Sequence, residues 1–148
     1  MSNYDFSLPD QHGQIHSFAD YRGQWLVVYF YPKDSTPGCT TEACNFRDAI
    51  ERLQARKIAV VGISGDTVAS HAKFALKYAL PFPLLADTDR AVAAQYGALG
   101  RKRFMGREFT GILRNTYVFD PQGNLRKEYQ SVKPSNHVEE LLSDINSW

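Results

Sequence analysis

Residues 25–44 read WLVVYFYPKDSTPGCTTEAC, and two elements meet inside that stretch. Trp25 to Tyr31 is apolar or aromatic throughout, with no alternation, which is the pattern of a β-strand covered on both faces. Pro32 ends the strand, because it offers no N–H to a ladder. Beyond the turn, Cys39, Ala43, Phe46, Ile50 and Leu53 recur at spacings of 4, 3, 4 and 3, the apolar face of one helix. With Thr36 as N-cap, Pro37 falls at the first helical position and Cys39 at the third. A two-sided strand that runs through a short turn into an amphipathic helix is the building unit of an α/β sheet.

The turn and helix carry both cysteines of the chain, Cys39 and Cys44. A thiolate in the first turn of a helix is favoured by the unpaired backbone N–H groups and the positive end of the macrodipole. A lone helical cysteine is more often a small apolar core residue. The Thr-Pro-Gly-Cys context and the partner cysteine favour a reactive thiol instead, and Gly38, Thr40 and Thr41 are expected to leave its sulfur approachable. Five residues of helix separate two Cα atoms by about 7.5 Å along the axis. A disulfide needs them closer than about 7 Å, so the pair can bond only if the first turns unwind. A zinc site is not indicated: there is no Cys-x-x-Cys, and His12, His16, His71 and His137 are remote in sequence and expected at the surface. A thiolate that attacks an electrophile also needs a cation. Arg47 lies two turns along the same helix. Arg114 directly precedes a strand at Asn115–Phe119, a junction where an arginine is usually a solvated charge. Glu42 could pair with such an arginine.

The totals bound what surrounds this centre. At 148 residues the chain is expected to form one domain, residues 1–148, with 43% hydrophobic and 22% charged residues and no low-complexity tract. A formal charge of +1 gives no reason to expect nucleic acid or an anionic membrane as partner. The start, MSNYDFSLPDQHGQ, has neither the basic nor the apolar part of a signal peptide, and the longest apolar run is seven residues. A cytoplasmic protein is expected, and two cysteines in a reducing compartment argue for catalytic or transient disulfide chemistry.

The remaining chain supplies further elements. Residues 1–14 are expected as a loop or short arm, and Ile15–Phe18 as a short strand. Ile58–Ile63 reads as a second buried strand, followed by Asp66 as N-cap of a helix through Tyr78. Pro81 and Pro83 frame a short extended piece, and Ala91–Tyr96 is helical. The glycine-punctuated, basic stretch from Gly97 to Gly111 reads as a loop. Thr116–Phe119 and Leu125–Tyr129 form a hairpin around Asp120-Pro-Gln-Gly123, with the glycine at a bulge position. Ser135 or Asn136 opens a last helix with Val138, Leu141, Leu142 and Ile145 on its apolar face. Parallel units followed by a hairpin and a closing helix predict an α/β, thioredoxin-like fold: a central mixed sheet flanked by helices.

Pro32, Thr36 and Cys39 make the pattern Pro-x-x-x-Thr-x-x-Cys, and the string FYPKDSTPGCTTEAC is similar to the peroxiredoxin Q group, also called bacterioferritin comigratory proteins. Ser64-Gly-Asp66, the DPQGN turn and GILRNTYVFD around Arg114 fit the same resemblance, which so spans nearly the whole chain. It implies a thiol-dependent peroxidase that reduces hydrogen peroxide and organic hydroperoxides. Cys39 would be the peroxidatic cysteine and Cys44 the resolving one, closing an intramolecular disulfide that a thioredoxin-type dithiol reopens. Thr36 and Arg114 would hold peroxide and thiolate, and Pro32 would shield the pocket. The resemblance implies a monomer and no metal, haem or flavin. Two alternatives stand beside it. A thiol-disulfide exchange protein would hold its cysteines two residues apart, unlike this chain. A redox sensor could use the basic stretch 101–107, RKRFMGR, to dock a partner.

Overall fold

A computed structural model describes residues 4–148, with Phe104 described by its backbone only. The strands are β1 (Ser7–Pro9), β2 (Ile15–Ser17), β3 (Trp25–Phe30), β4 (Ile58–Ser64), β5 (Leu84–Ala86), β6 (Leu99–Phe104), β7 (Arg107–Ile112), β8 (Thr116–Phe119) and β9 (Leu125–Tyr129). The α-helices are α1 (Pro37–Asp48), α2 (Ile50–Ala55), α3 (Val68–Tyr78), α4 (Ala91–Tyr96) and α5 (His137–Ser147). Five strands form the central sheet in the order β5-β4-β3-β8-β9. It is mixed, since β3 runs parallel to β4 and antiparallel to β8.

The unbroken apolar run of β3 is explained by that central place. Val27 and Tyr29 face a core with Ala43 and Phe46 of α1, Leu53 of α2, Phe74 of α3 and Leu141 of α5. Leu26, Val28 and Phe30 face the other way, onto Val92, Ala93 and Tyr96 of α4 and onto Phe6 and Phe18. Full burial of each such side chain stabilises by about 1.5–3 kcal/mol. One close approach is set by glycine: a Cβ at Gly62 of β4 would lie 2.8 Å from Tyr29 Cζ, so the bare backbone of β4 makes room for the Tyr29 ring. Among the described residues no helix is long and apolar enough to cross a membrane.

The structure corrects four expectations about the elements. Residues 1–14 are not all loop: β1 pairs antiparallel with β2, Leu8 opposite His16, while residues 1–3 lie outside the described ones. The helix expected from Cys39 through Leu53 is broken at Ala49, whose N–H is shared between Asn45 and Phe46 carbonyls at 3.2 Å; the apolar face continues across the break, with Leu53 fully buried. The N-cap of α3 is Thr67, whose hydroxyl accepts from the Ser70 N–H, because Asp66 is engaged elsewhere. The stretch 97–111 is a hairpin rather than a loop, with β6 and β7 paired from Leu99–Ile112 to Phe104–Arg107. Its two-residue turn, Met105-Gly106, has both residues at positive φ (52° and 79°), as a tight hairpin turn of this hand requires.

Candidate active site

The first turn of α1 is built as its residues dictate. Thr36 is extended at the N-cap (φ −85°, ψ 154°), Pro37 is first in the helix, and the Thr36 carbonyl accepts the first helical bond from Thr40 at 2.8 Å. The Thr36 hydroxyl does not cap the helix; it donates backward to the Lys33 carbonyl at 2.8 Å, which leaves its lone pairs to accept. Among the described residues nothing accepts from the Gly38 and Cys39 N–H groups, so the first turn keeps its open donors.

Cys39 is 1% exposed, which corrects the expectation of an approachable sulfur. It packs into the core on the α1 face that also carries Ala43 and Phe46. The sulfur is covered by Arg114, whose Nη2 donates to Cys39 Sγ at 3.4 Å while Nη1 donates to Glu42 Oε1 at 3.0 Å. Arg114 is therefore no solvated surface charge. Burial works against its charge, but Cys39 and Glu42 outweigh this and hold the guanidinium above its ordinary range. Gly38 permits the approach: a Cβ there would stand 3.1 Å from Arg114 Nη2. The backbone of Arg114 is held as well, its carbonyl accepting from Val132 N–H at 2.9 Å.

Glu42 is wholly buried, and its Oε2 has no hydrogen-bond partner among the described residues. Burial pushes its carboxyl up to about 7 against the opposing pull of Arg114. Pro32 is half-buried in the link from β3 to α1. Cys44 lies further along α1, half-buried, and both cysteines are free. Their helix is intact between them, so the expected separation holds in this state.

The basic stretch 101–107 divides by the alternation of its strand. Arg101 and Arg103 point one way and pair with Glu108. Lys102 lies on the other face, half-buried; burial and the Arg114 charge push its ammonium below the ordinary range, while Cys39 works against them. Of the four histidines expected at the surface, His71 and His137 are instead fully buried. His71 belongs to a polar cluster with Asp34 and Asp66 beside the β3–α1 link, which no motif along the sequence announces. The signals in the sequence are Asp34, two residues before the N-cap threonine, and Asp66 of Ser64-Gly-Asp66, and neither points to His71.

The AhpC/TSA family model matches residues 3–128. The peroxiredoxin Bcp of Bacillus subtilis is 42% identical over 141 residues, covering 95% of this chain and 90% of that one. The peroxiredoxin Bcp of Escherichia coli is 42% identical over 138 residues, covering 93% and 88%. Among solved structures, a bacterioferritin comigratory protein of Xanthomonas campestris, described for its alkyl peroxide reduction activity, superposes with a TM-score of 0.92 at 32% identity, covering 98% of this chain and 92% of that one. The thioredoxin-like fold and the match along both chains agree with the geometry around Cys39, and the chain belongs to the AhpC/TSA family, among the Bcp or peroxiredoxin Q peroxiredoxins, which are thiol-dependent peroxidases.

Proposed function

We propose that residues 1–148 act as one unit in which Cys39 is the peroxidatic cysteine and Cys44 resolves it. The observation that carries this reading is the Arg114 guanidinium, bonded at once to Cys39 Sγ and Glu42 beside the open N–H groups of the first turn. The Cys39 thiolate attacks the terminal oxygen of the hydroperoxide; the S–O bond forms, the O–O bond breaks, and sulfur is oxidised to the sulfenic acid. The departing alkoxide or hydroxide takes a proton and leaves as alcohol or water. Arg114 and the first-turn N–H groups oppose the negative charge that spreads over both oxygens, and donors so placed stabilise a transition state more than the ground state. The Thr36 hydroxyl, donating to Lys33, accepts from the peroxide proton. Pro32 shields the pocket from bulk water.

Resolution then needs the first turn to open. Cys44 thiolate attacks the Cys39 sulfenic sulfur, the S–S bond forms and hydroxide leaves. A dithiol of the thioredoxin type reduces the disulfide and is itself oxidised. The cycle needs both thiols reduced at rest, which suits a reducing compartment such as the cytoplasm, and it needs only one copy of the chain, which suits a monomer. Hydrogen peroxide and organic hydroperoxides fit the same chemistry.

The test is mass spectrometry after one equivalent of hydrogen peroxide. The expected product is a single chain lighter by two hydrogens with no free thiol, and from Cys44→Ser a chain heavier by one oxygen. A Cys44→Ser variant that turned over at the full rate with thioredoxin would remove Cys44 from the cycle.

A further inference from the structure

The chemistry at Cys39 uses the Arg114 side of α1. On the other side, the link that leads into α1 is held by a polar cluster with no part in that chemistry. Asp34 is 6% exposed; its carboxyl accepts from the Tyr31 hydroxyl at 2.6 Å and the Ser70 hydroxyl at 2.8 Å and is hydrogen-bonded with His71 Nδ1 at 2.7 Å. His71 Nε2 sits 3.0 Å from the Leu85 carbonyl, which can only accept, so that nitrogen carries a hydrogen. The Asp34 N–H donates to Asp66 Oδ2 at 2.8 Å, and the Ser64 hydroxyl donates to the same oxygen at 2.7 Å. One residue of the link is thereby tied to β3's C-terminal end, to the β4–α3 turn, to α3 and, through His71, to β5.

The next residue along the chain gives the cluster its effect. Ser35 is exposed and in the left-handed region (φ 63°), a conformation that a residue with a side chain holds only when its surroundings impose it. Thr36, the N-cap, comes after it, and its hydroxyl closes back on Lys33. An exposed side chain gives Ser35 no packing to hold it. Its conformation is fixed from both ends, by Asp34 on one side and the N-cap on the other, so slack at Asp34 passes directly into the first turn of α1.

We infer that Asp34 is a positioning residue for this cycle: its bonds to Tyr31, Ser70, His71 and Asp66 hold Ser35 left-handed and the first turn of α1 wound, and so set how often that turn opens to deliver Cys39 to Cys44. The inference rests on the two-cysteine cycle proposed above. With the latch closed, Cys39 is preorganised for peroxide but out of reach of Cys44. With it weakened, attack on peroxide slows and disulfide formation quickens. The sulfenic acid then spends less time exposed to a second hydroperoxide, which would insert a further oxygen on sulfur, giving the sulfinic acid and releasing alcohol or water.

The experiment treats wild type, Ser70→Ala and Asp34→Asn with a graded excess of hydrogen peroxide. It reads the sulfinic-to-disulfide ratio by mass spectrometry, alongside the rate of first oxidation and the melting temperature. Ser70→Ala removes one hydrogen bond from a half-buried position and is expected to fold. Its sulfinic-to-disulfide ratio should fall about threefold to tenfold, with slower first oxidation, and Asp34→Asn should exceed it. A lowered melting temperature with an unchanged ratio in Ser70→Ala overturns the latch, since a merely structural role would do only that. A wild type that forms no intramolecular disulfide overturns the two-cysteine cycle and the latch with it. A wild type that forms it, with a ratio unmoved in both variants, overturns the latch alone.

Discussion

Cys39 and Cys44 lie five residues apart on one helix and meet opposite surroundings. Cys39 is third in α1, buried, with a guanidinium on its sulfur and the helix's open N–H groups beside it. Cys44 is past those open donors and half-buried, and among the described residues nothing donates to its sulfur. The nearest arginine along the helix, Arg47, donates to Asp48 and to the Tyr78 carbonyl and reaches Cys44 only through its charge, without a hydrogen bond to the sulfur. On the reading proposed above, the same side chain serves as nucleophile at one position and as resolving thiol at the other because of where the helix starts and because of the arginine that the chain leading into β8 lays across Cys39. An intact α1 also holds the two sulfurs apart, and so separates in space the two tasks proposed for them.

The sharpest way to break the comparison is to exchange the roles. Cys39→Ser should cost on the order of 10³-fold or more in peroxidase kcat/KM, and Cys44 should not substitute for it. Peroxide consumption by Cys39→Ser near the wild-type rate would mean that position on the helix does not select the nucleophile. The next effect is smaller. Arg114→Ala keeps the helix and its open donors but removes the cation, and kcat/KM should drop about 10²–10³-fold. Coupled peroxidase kinetics measure it, and a loss confined to KM would place Arg114 in binding alone.

Much of this difference is legible in the sequence, and what is hidden there is hidden for identifiable reasons. The two-sided burial of β3 and the Thr36-Pro37-Gly38-Cys39 start of α1 are local signals, and both are found where the pattern puts them. From its own stretch of sequence Arg114 reads as solvated, and only the family resemblance puts it at Cys39, because nothing near it in sequence shows that Gly38, far away in the chain, leaves a bare surface for its guanidinium. The β6–β7 hairpin escapes because its turn uses Met105 rather than Asn or Asp, and its strands carry cations where an apolar alternation would be sought. His71 looks like a surface residue because its partners, Asp34 and the Leu85 carbonyl, come from separate elements. Motifs written along one element can be read directly; contacts between elements need the fold.

The comparison is sharpened most finely by pH, through Glu42, a wholly buried carboxyl that shares the Arg114 guanidinium with Cys39. Its carboxyl is held up to about 7 by burial, against the pull of Arg114, whereas an unfolded glutamate titrates at about 4.3. The folded chain therefore binds this proton more tightly than the unfolded one. Glu42's contribution to stability is complete below about pH 4.3 and is lost as pH rises through about 7. Glu42→Gln keeps the shape and leaves a carbonyl oxygen for Arg114 Nη1, but it cannot ionise. Between pH 5 and 8 the wild type should lose up to about 3 kcal/mol relative to Glu42→Gln, read from urea midpoints at each pH. Parallel pH profiles for the two proteins would mean that Glu42 is ionised throughout. The same ionisation bears on chemistry: a neutral Glu42 leaves the whole Arg114 charge to the thiolate and the departing oxygen, and an ionised one takes a share of it. The first oxidation should accordingly lose a pH-dependent phase near 7 in Glu42→Gln, with the dependence set by the thiol alone left in place.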